Sequence, residues 1–185
     1  MKNIIKNAII LTLITLVAGT ALAFVYSITK EPIAEADAKA TAEAYKMVFS
    51  SADAFEEIGF SEAAAASDST IHAVSKAVSG SDTLGYVMTV SSKGYGGDIK
   101  LAIGIDMQGN ITGISILDAS NETPGLGAKV TEDEFTSQFK GLSSQNVESE
   151  VDAISGATYS TNGVKNAVNS ALDYFGTNLQ EGEAE

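Results

Sequence analysis

Cysteine is absent from this chain of 185 residues, arginine does not occur, proline appears only twice and histidine once. Each absence removes a class of chemistry. Without cysteine there is no disulfide, no thiolate metal site and no iron–sulfur cluster held by this chain, so any redox work needs an organic cofactor. The single histidine, His72, falls in a strand-like run as a structural or exposed residue, which leaves a histidine metal site or a Ser-His-Asp triad unsupported. No metal ligand and no catalytic residue is assigned. Without arginine no guanidinium fork can grip a phosphate, and a tightly held nucleotide needs another anchor. Positive charge is scarce altogether: beyond Lys30, eight lysines stand against 24 acidic residues, a balance of −16. That sign argues against nucleic acid as a partner and suits a solvated surface.

What the chain does have begins with residues 8–26, which carry no charge. Nineteen helical residues rise about 28 Å, close to one bilayer core. Lys2 and Lys6 precede this run, whereas Lys30 behind it is offset by Glu31. The positive-inside rule then predicts a single-pass anchor in the cell membrane, with the N-terminus cytoplasmic and the bulk of the chain extracytoplasmic. Ala21-Leu22-Ala23 has the small-x-small form of a signal-peptide cleavage site, but the apolar run exceeds the usual roughly 7 to 15 residues and continues through Phe24, Val25 and Tyr26. An uncleaved anchor is the expectation.

The expected organisation is an N-terminal segment 1–30 with its transmembrane helix, a membrane-proximal helical segment 31–66, a domain over 67–176, and an acidic tail 177–185. Pro32 suits the first turn of a helix over 33–49. Residues 50–69 show no clean period, and 63–66 fit a short helix or a loop equally. Strand-like runs at 70–79 and 84–91 flank Gly80-Ser81-Asp82, with Leu84, Tyr86, Met88 and Val90 alternating as one buried face. Gly94-Tyr95-Gly96-Gly97 then interrupts. Ile99, Leu101, Ile103 and Ile105 alternate again before a turn at 106–110 and a strand at 111–117, a second hairpin. Thr131 to Glu134 has the form of a capped helix start that Gly141 ends. Residues 145–151 are an open connection. Hairpins flanked by helices predict an α+β fold on an antiparallel sheet.

One stretch organises the rest. Asp152-Ala153-Ile154-Ser155-Gly156-Ala157-Thr158-Tyr159-Ser160-Thr161 is small and hydroxyl-rich, and Val164, Ala167, Val168, Ala171, Leu172 and Phe175 come after it at helical spacing. Thr161 or Ser160 is the expected N-cap. A helix start offers unpaired N–H groups and about half a positive charge to an anion. Ser-Gly-Ala-Thr by itself is also what a plain tight turn into a helix looks like.

Asp152 followed by Ser155-Gly156-Ala157-Thr158 resembles the motif at which a transferase couples FMN, through its phosphate, to a threonine hydroxyl. A second signature, Glu122-Thr123-Pro124-Gly125-Leu126-Gly127-Ala128-Lys129, is present in the expected order. Together they resemble the G subunits of Rnf electron-transport complexes and the related C subunits of sodium-pumping NADH:quinone reductases. The resemblance extends from the membrane segment to about Phe175. One departure is Ser120, where family members often carry a histidine.

The resemblance implies an FMN-binding domain that carries electrons between ferredoxin and NAD as one redox subunit of an ion-translocating complex. It implies a covalent phosphoester at Thr158, made by a flavin transferase using FAD, with Asp152, Ser155, Gly156 and Ala157 as the recognised turn. Glu122, Thr123, Pro124, Gly125, Leu126 and Gly127 are implied around the flavin, with Gly125 and Gly127 allowing close approach of main chain, and Tyr95 nearby. Other membrane and soluble subunits of the Rnf complex are the implied partners. The C subunit of a quinone reductase and a non-redox extracytoplasmic binding module remain the alternatives.

Overall fold

The computed structural model describes residues 2–59 and 69–180. The stretch 63–66 and the end of the acidic tail, 181–185, lie outside the described residues. Helix α1 runs Lys2–Val48 without interruption, so the expected anchor and the expected membrane-proximal helix are one element. Pro32 sits inside it rather than at a start. A proline there withholds one N–H from the carbonyl four residues back, and its alanine-rich surroundings are strong enough helix formers to carry the helix past one missing rung.

Over residues 3–40 the side chains of α1 are exposed all round, including Ile9, Leu13, Leu16, Val17, Leu22, Phe24 and Val25. Between residues 8 and 26, where no residue is charged, the helix is apolar on every side and has no face suited to water. α1 is long and apolar enough to cross a membrane. Its hydroxyls fit that setting: Thr12, Thr20 and Thr29 each donate to the carbonyl four residues back, at 2.8–2.9 Å, which satisfies them within the helix.

Five strands form one antiparallel meander in the order β1-β2-β3-β4-β5. They are β1 (Ala54–Ile58), β2 (Ser69–Ser79), β3 (Asp82–Lys93), β4 (Asp98–Asp106) and β5 (Ile111–Asp118). Both expected hairpins are present, and Gly94 to Gly97 turns β3 into β4. β1 has no counterpart among the sequence-based expectations. It is a short edge strand with exposed Glu56 and Glu57 and only a partly buried Phe55 and Ile58, so it shows no apolar run and no full alternation.

Both faces of the sheet are covered. On one, Tyr86, Met88, Val90, Leu101, Ile103, Ile105 and Ile111 pack against Val164, Ala167, Val168, Ala171 and Leu172 of helix α4 (Thr158–Tyr174). Each fully buried valine or leucine contributes about 1.5–3 kcal/mol, and Ala167 and Ala171 let the helix axis come close. The other face is smaller: Ala77, Val87 and Ala102 meet Ala44, Tyr45, Val48 and Phe49, and the Tyr45 hydroxyl bonds the Thr89 hydroxyl at 2.9 Å.

Leu84 belongs to this second face and not to the row of Tyr86, Met88 and Val90. A bulge explains it. Ala77 pairs with Gly85 and Val78 with Thr83, so Leu84 is an extra residue that shifts the alternation by one.

After β5 come a 3₁₀ turn (Gly127–Thr131), one helical turn α2 (Asp133–Thr136), a second 3₁₀ turn (Ser137–Phe139) and another single helical turn, α3 (Val147–Glu150). Thr131 does not cap α2; its hydroxyl donates to the Ala128 carbonyl and closes the preceding turn. The expected open connection at 145–151 contains α3, held to α4 through Val147 in the core and through Glu148. That residue's carbonyl accepts from Lys165 Nζ at 3.2 Å and its carboxylate from Asn169 Nδ2 at 2.8 Å. Beyond α4 the chain continues as a π-helical turn (Phe175–Leu179), and Leu179, within the expected acidic tail, is buried in the core.

Candidate functional site

Two turns of the same design meet at the start of α4. In 123–126 the Leu126 N–H donates to the Thr123 carbonyl at 3.1 Å, with Pro124 second and Gly125 third at φ +73°. In 154–157 the Ala157 N–H donates to the Ile154 carbonyl at 2.9 Å, with Gly156 third at φ +78°. Proline second and a left-handed third residue are the pattern of a type II turn, which is why glycine stands at both third positions. The turns touch: a Cβ on Gly156 would lie 3.2 Å from a methyl of Leu126.

The second turn is tied to the helix it precedes, since the buried Thr161 hydroxyl accepts the Ile154 N–H at 3.2 Å. Neither expected N-cap serves as one. α4 begins at Thr158, its flanking residue is Ala157, and no side chain caps it. Thr161 is turned back to the loop, and Ser160 donates to Glu122 at 2.5 Å. Among the described residues no side chain therefore bonds the first amides of α4, and the Thr158 side chain is exposed among them. Gly163, one turn further on, brings α4 against the end of β3: a Cβ there would stand 2.6 Å from the Lys93 carbonyl oxygen. That contact sets the helix start beside the Gly94 to Gly97 loop.

A cleft of about 480 Å³ opens between these pieces, a volume ordinary for a small-molecule site. It brings together seven of the residues singled out in the sequence: Tyr95, Thr123, Leu126, Gly127, Gly156, Ala157 and Thr158. Tyr159 and Ser160 complete the lining, and no lining residue carries a charge. Among the described residues beyond α1's exposed stretch, the large apolar side chains left in solvent are Met47, Tyr95, Leu126 and Tyr159. Three of these four converge on the cleft. Tyr95 and Tyr159 are 71% and 72% exposed, with ring centroids 6.2 Å apart and planes at 48°, so they touch each other and form one aromatic wall.

The other expected residues stand elsewhere. Glu122 is buried behind the cleft, and Pro124 and Gly125 lie on the outer side of their turn. Gly125 has nothing within 4 Å of where a Cβ would be; backbone hand, not close approach, calls for glycine there. Close approach belongs to Gly127, where a Cβ would come within 2.7 Å of the Ser160 hydroxyl oxygen. Ser155 is exposed on its turn, and Asp152 faces a neighbouring polar groove with Lys129 and Gln138, its N–H donating to Gln138 Oε1 at 2.8 Å. Tyr159 is the lining residue that sequence reasoning missed, although an aromatic in the first turn of a helix, next to Thr158, is itself a signal.

Away from the cleft lies Ser120, the departure noted in the sequence. Its amide and hydroxyl hold the Asp118 carboxyl below the usual range, with the Asp118 Oδ1 accepting the Ser120 N–H at 2.9 Å.

Comparison with known proteins agrees with both ends of the chain. Residues 1–48 match the family model of the RnfG N-terminal region, and residues 94–173 match that of the FMN-binding domain. The chain is 34% identical to the G subunit of the ion-translocating oxidoreductase complex of Methanosarcina acetivorans, over 98% of each protein. It is 30% identical to the G subunit of the proton-translocating ferredoxin:NAD(+) oxidoreductase complex of Clostridium ljungdahlii, over 90% of each. With the G subunit of the Na(+)-translocating ferredoxin:NAD(+) oxidoreductase complex of Acetobacterium woodii it shares 32% identity, covering 94% of this chain and 92% of that one. In fold it is similar to the crystal structure of Shewanella oneidensis NqrC, with TM-score 0.51 and 23% identity over 68% of this chain and 75% of that one. Similarity at this level along nearly the whole length, with both family models in order, shows that the chain belongs to the family of G subunits of ion-translocating oxidoreductase complexes.

Proposed function

We propose that this chain is a membrane-anchored electron carrier of an ion-translocating ferredoxin:NAD oxidoreductase complex, and that it holds FMN covalently through a phosphoester to Thr158. The observation that carries the reading is Thr158 itself: an exposed hydroxyl on the first residue of an uncapped 17-residue helix, at the edge of a cleft walled by two exposed tyrosines and Leu126. A flat ring system with a phosphate tail suits that combination. The tyrosines and Leu126 offer apolar surface to the ring, and the free amides of α4 favour the negative charge of the phosphate. With no arginine in the chain and no charge in the cleft lining, those contacts alone hold an anion weakly, and a covalent bond supplies the missing retention.

In this reading Thr158 is modified once, during maturation. Its hydroxyl oxygen bonds to the phosphorus of the FMN half of FAD on a flavin transferase, the pyrophosphate bond breaks, AMP departs and the hydroxyl proton is lost. Asp152, Ser155, Gly156 and Ala157 present the turn to that enzyme; Asp152 lies outside the cleft, where a docking enzyme reaches it. The bound flavin supplies the exchange of electrons. The protein's own residues orient the ring, keep it at an open edge for partner subunits, and hold its phosphate. α1 anchors the chain, and the lysines before residue 8 place the N-terminus in the cytoplasm with the flavin domain outside.

The test is co-expression with a flavin transferase, followed by denaturing electrophoresis under ultraviolet light. A fluorescent parent band, no fluorescence for Thr158→Ala and partial fluorescence for Thr158→Ser are expected. A dark parent band overturns the covalent reading and favours a non-redox module; a bright Thr158→Ala band moves the attachment elsewhere. The near full-length identity with G subunits favours that assignment over the C subunit of a quinone reductase.

A further inference from the structure

Glu122 is 3% exposed and has no lysine partner among the described residues. Its carboxylate is nonetheless well supplied with donors. Oε1 accepts the N–H groups of Tyr95 at 2.9 Å and Gly96 at 3.1 Å, and Oε2 accepts the Ser160 hydroxyl at 2.5 Å. Charge-assisted bonds of this kind are about twice as strong as neutral ones, and a buried carboxylate needs them. The space around it is kept clear by glycine: a Cβ on Gly94 would collide with Oε1, and one on Gly127 would stand 2.5 Å from Oε2. Three separate pieces of chain, the β3–β4 loop, the loop after β5 and the first turn of α4, thus converge on one side chain.

We propose that Glu122 is the positioning residue of the cleft: by binding the Tyr95 and Gly96 amides with one oxygen and the Ser160 hydroxyl with the other, it holds Tyr95 and Tyr159 together as a single aromatic wall. Tyr95 is the residue whose amide it grips, and Tyr159 is the neighbour of Ser160. Both rings are more than two-thirds exposed, so packing against the rest of the domain does not fix them. Glu122 itself does not line the cleft. The consequence for a bound flavin rests on the function proposed above; the consequence for the tyrosines does not.

The variants are chosen to separate bracing from charge. Glu122→Gln keeps one acceptor oxygen for both amides and turns its NH₂ toward the Ser160 hydroxyl oxygen, which accepts as well as donates. Glu122→Ala removes the brace, and Ser160→Ala cuts one of its two arms. The full-length chain is prepared in detergent, unflavinylated, with 3-fluorotyrosine at its six tyrosines, and fluorine NMR signals are assigned with Tyr95→Phe and Tyr159→Phe. In Glu122→Ala the Tyr95 and Tyr159 signals are expected to move toward their denatured positions and sharpen, while the other four stay. Glu122→Gln should hold all six at the parent positions. Six unchanged signals in Glu122→Ala overturn the proposal.

If Glu122→Ala unfolds and every signal moves, Ser160→Ala decides: a shift confined to the two wall tyrosines supports the brace, and no shift overturns it. With the transferase present, the visible circular dichroism of the flavin should be lost in Glu122→Ala and kept in Glu122→Gln. A parent that never takes up flavin strikes at the proposed function and leaves the fluorine result standing.

Discussion

The turns at 123–126 and 154–157 are built alike, each closed by an N–H to the carbonyl three residues back and each with glycine third at a positive φ. Both carry a threonine at the cleft, Thr123 in one and Thr158 just past the other. The elements they lead into separate them. The first runs into a 3₁₀ turn of five residues, too short to gather a dipole, and its contribution is Leu126 laid against Gly156. The second runs into a 17-residue helix packed on the sheet, so its threonine sits among free amides on a rigid element. A turn of one design serves as a wall in one place and, in the function proposed above, as an attachment point in the other, and the helix makes the difference.

The comparison breaks most sharply at the two threonines. Thr158→Ala should abolish flavin attachment while Thr123→Ala keeps it, judged by in-gel fluorescence of the denatured chain; equal loss in both would mean the helix start is not special. A smaller effect is expected from Thr161→Val, which removes the acceptor of the Ile154 N–H and should destabilise the domain by about 1–3 kcal/mol, with recovery in Thr161→Ser. Chemical denaturation of the full-length chain in detergent checks this, and the first turn has no counterpart of this bond among the described residues. Smaller again is the glycine pair. Alanine at φ near +75° costs about 1–2 kcal/mol at either site. Gly156→Ala should exceed Gly125→Ala because only its methyl meets Leu126, and Leu126→Ala should remove the excess in a double-mutant cycle.

Most of the sheet is legible in the sequence because its central strands alternate cleanly: Ile99, Leu101, Ile103 and Ile105 all point into one core. The failures have local causes. Leu84 falls on the wrong face in a period-two reading because such a reading cannot see a bulge. β1 has too few apolar residues to announce itself, and α3 is a single turn whose order comes from Lys165 and Asn169, seventeen or more residues away. At the site, six of the residues that line the cleft came from the two motifs and Tyr95 from the glycine cluster before β4, but their division of labour was not legible. Glu122 and Thr123 are adjacent in the chain, yet one is buried behind the wall and the other is on it. Only the packing of three segments of chain around a carboxylate reveals that.

The smallest expected effect lies far from both turns. Partial burial of His72 on β2, helped by Lys100 and opposed by Asp98, lowers its pKa below the ordinary value. The folded state therefore prefers the neutral ring. Stability is full above the unfolded-state pKa of about 6.5 and declines as pH falls below it, until the folded state is protonated too. His72→Gln should flatten thermal melting between pH 7 and pH 5 slightly, without altering flavin attachment.

The central claim concerns one oxygen atom, and intact-mass measurement with peptide mapping of the full-length chain, purified from membranes after co-expression with a flavin transferase, tests it most directly. The account predicts a single added FMN phosphoester, located on the peptide that contains Thr158, and none on the peptide containing Thr123. An unmodified mass, or the flavin on any other residue, would contradict it.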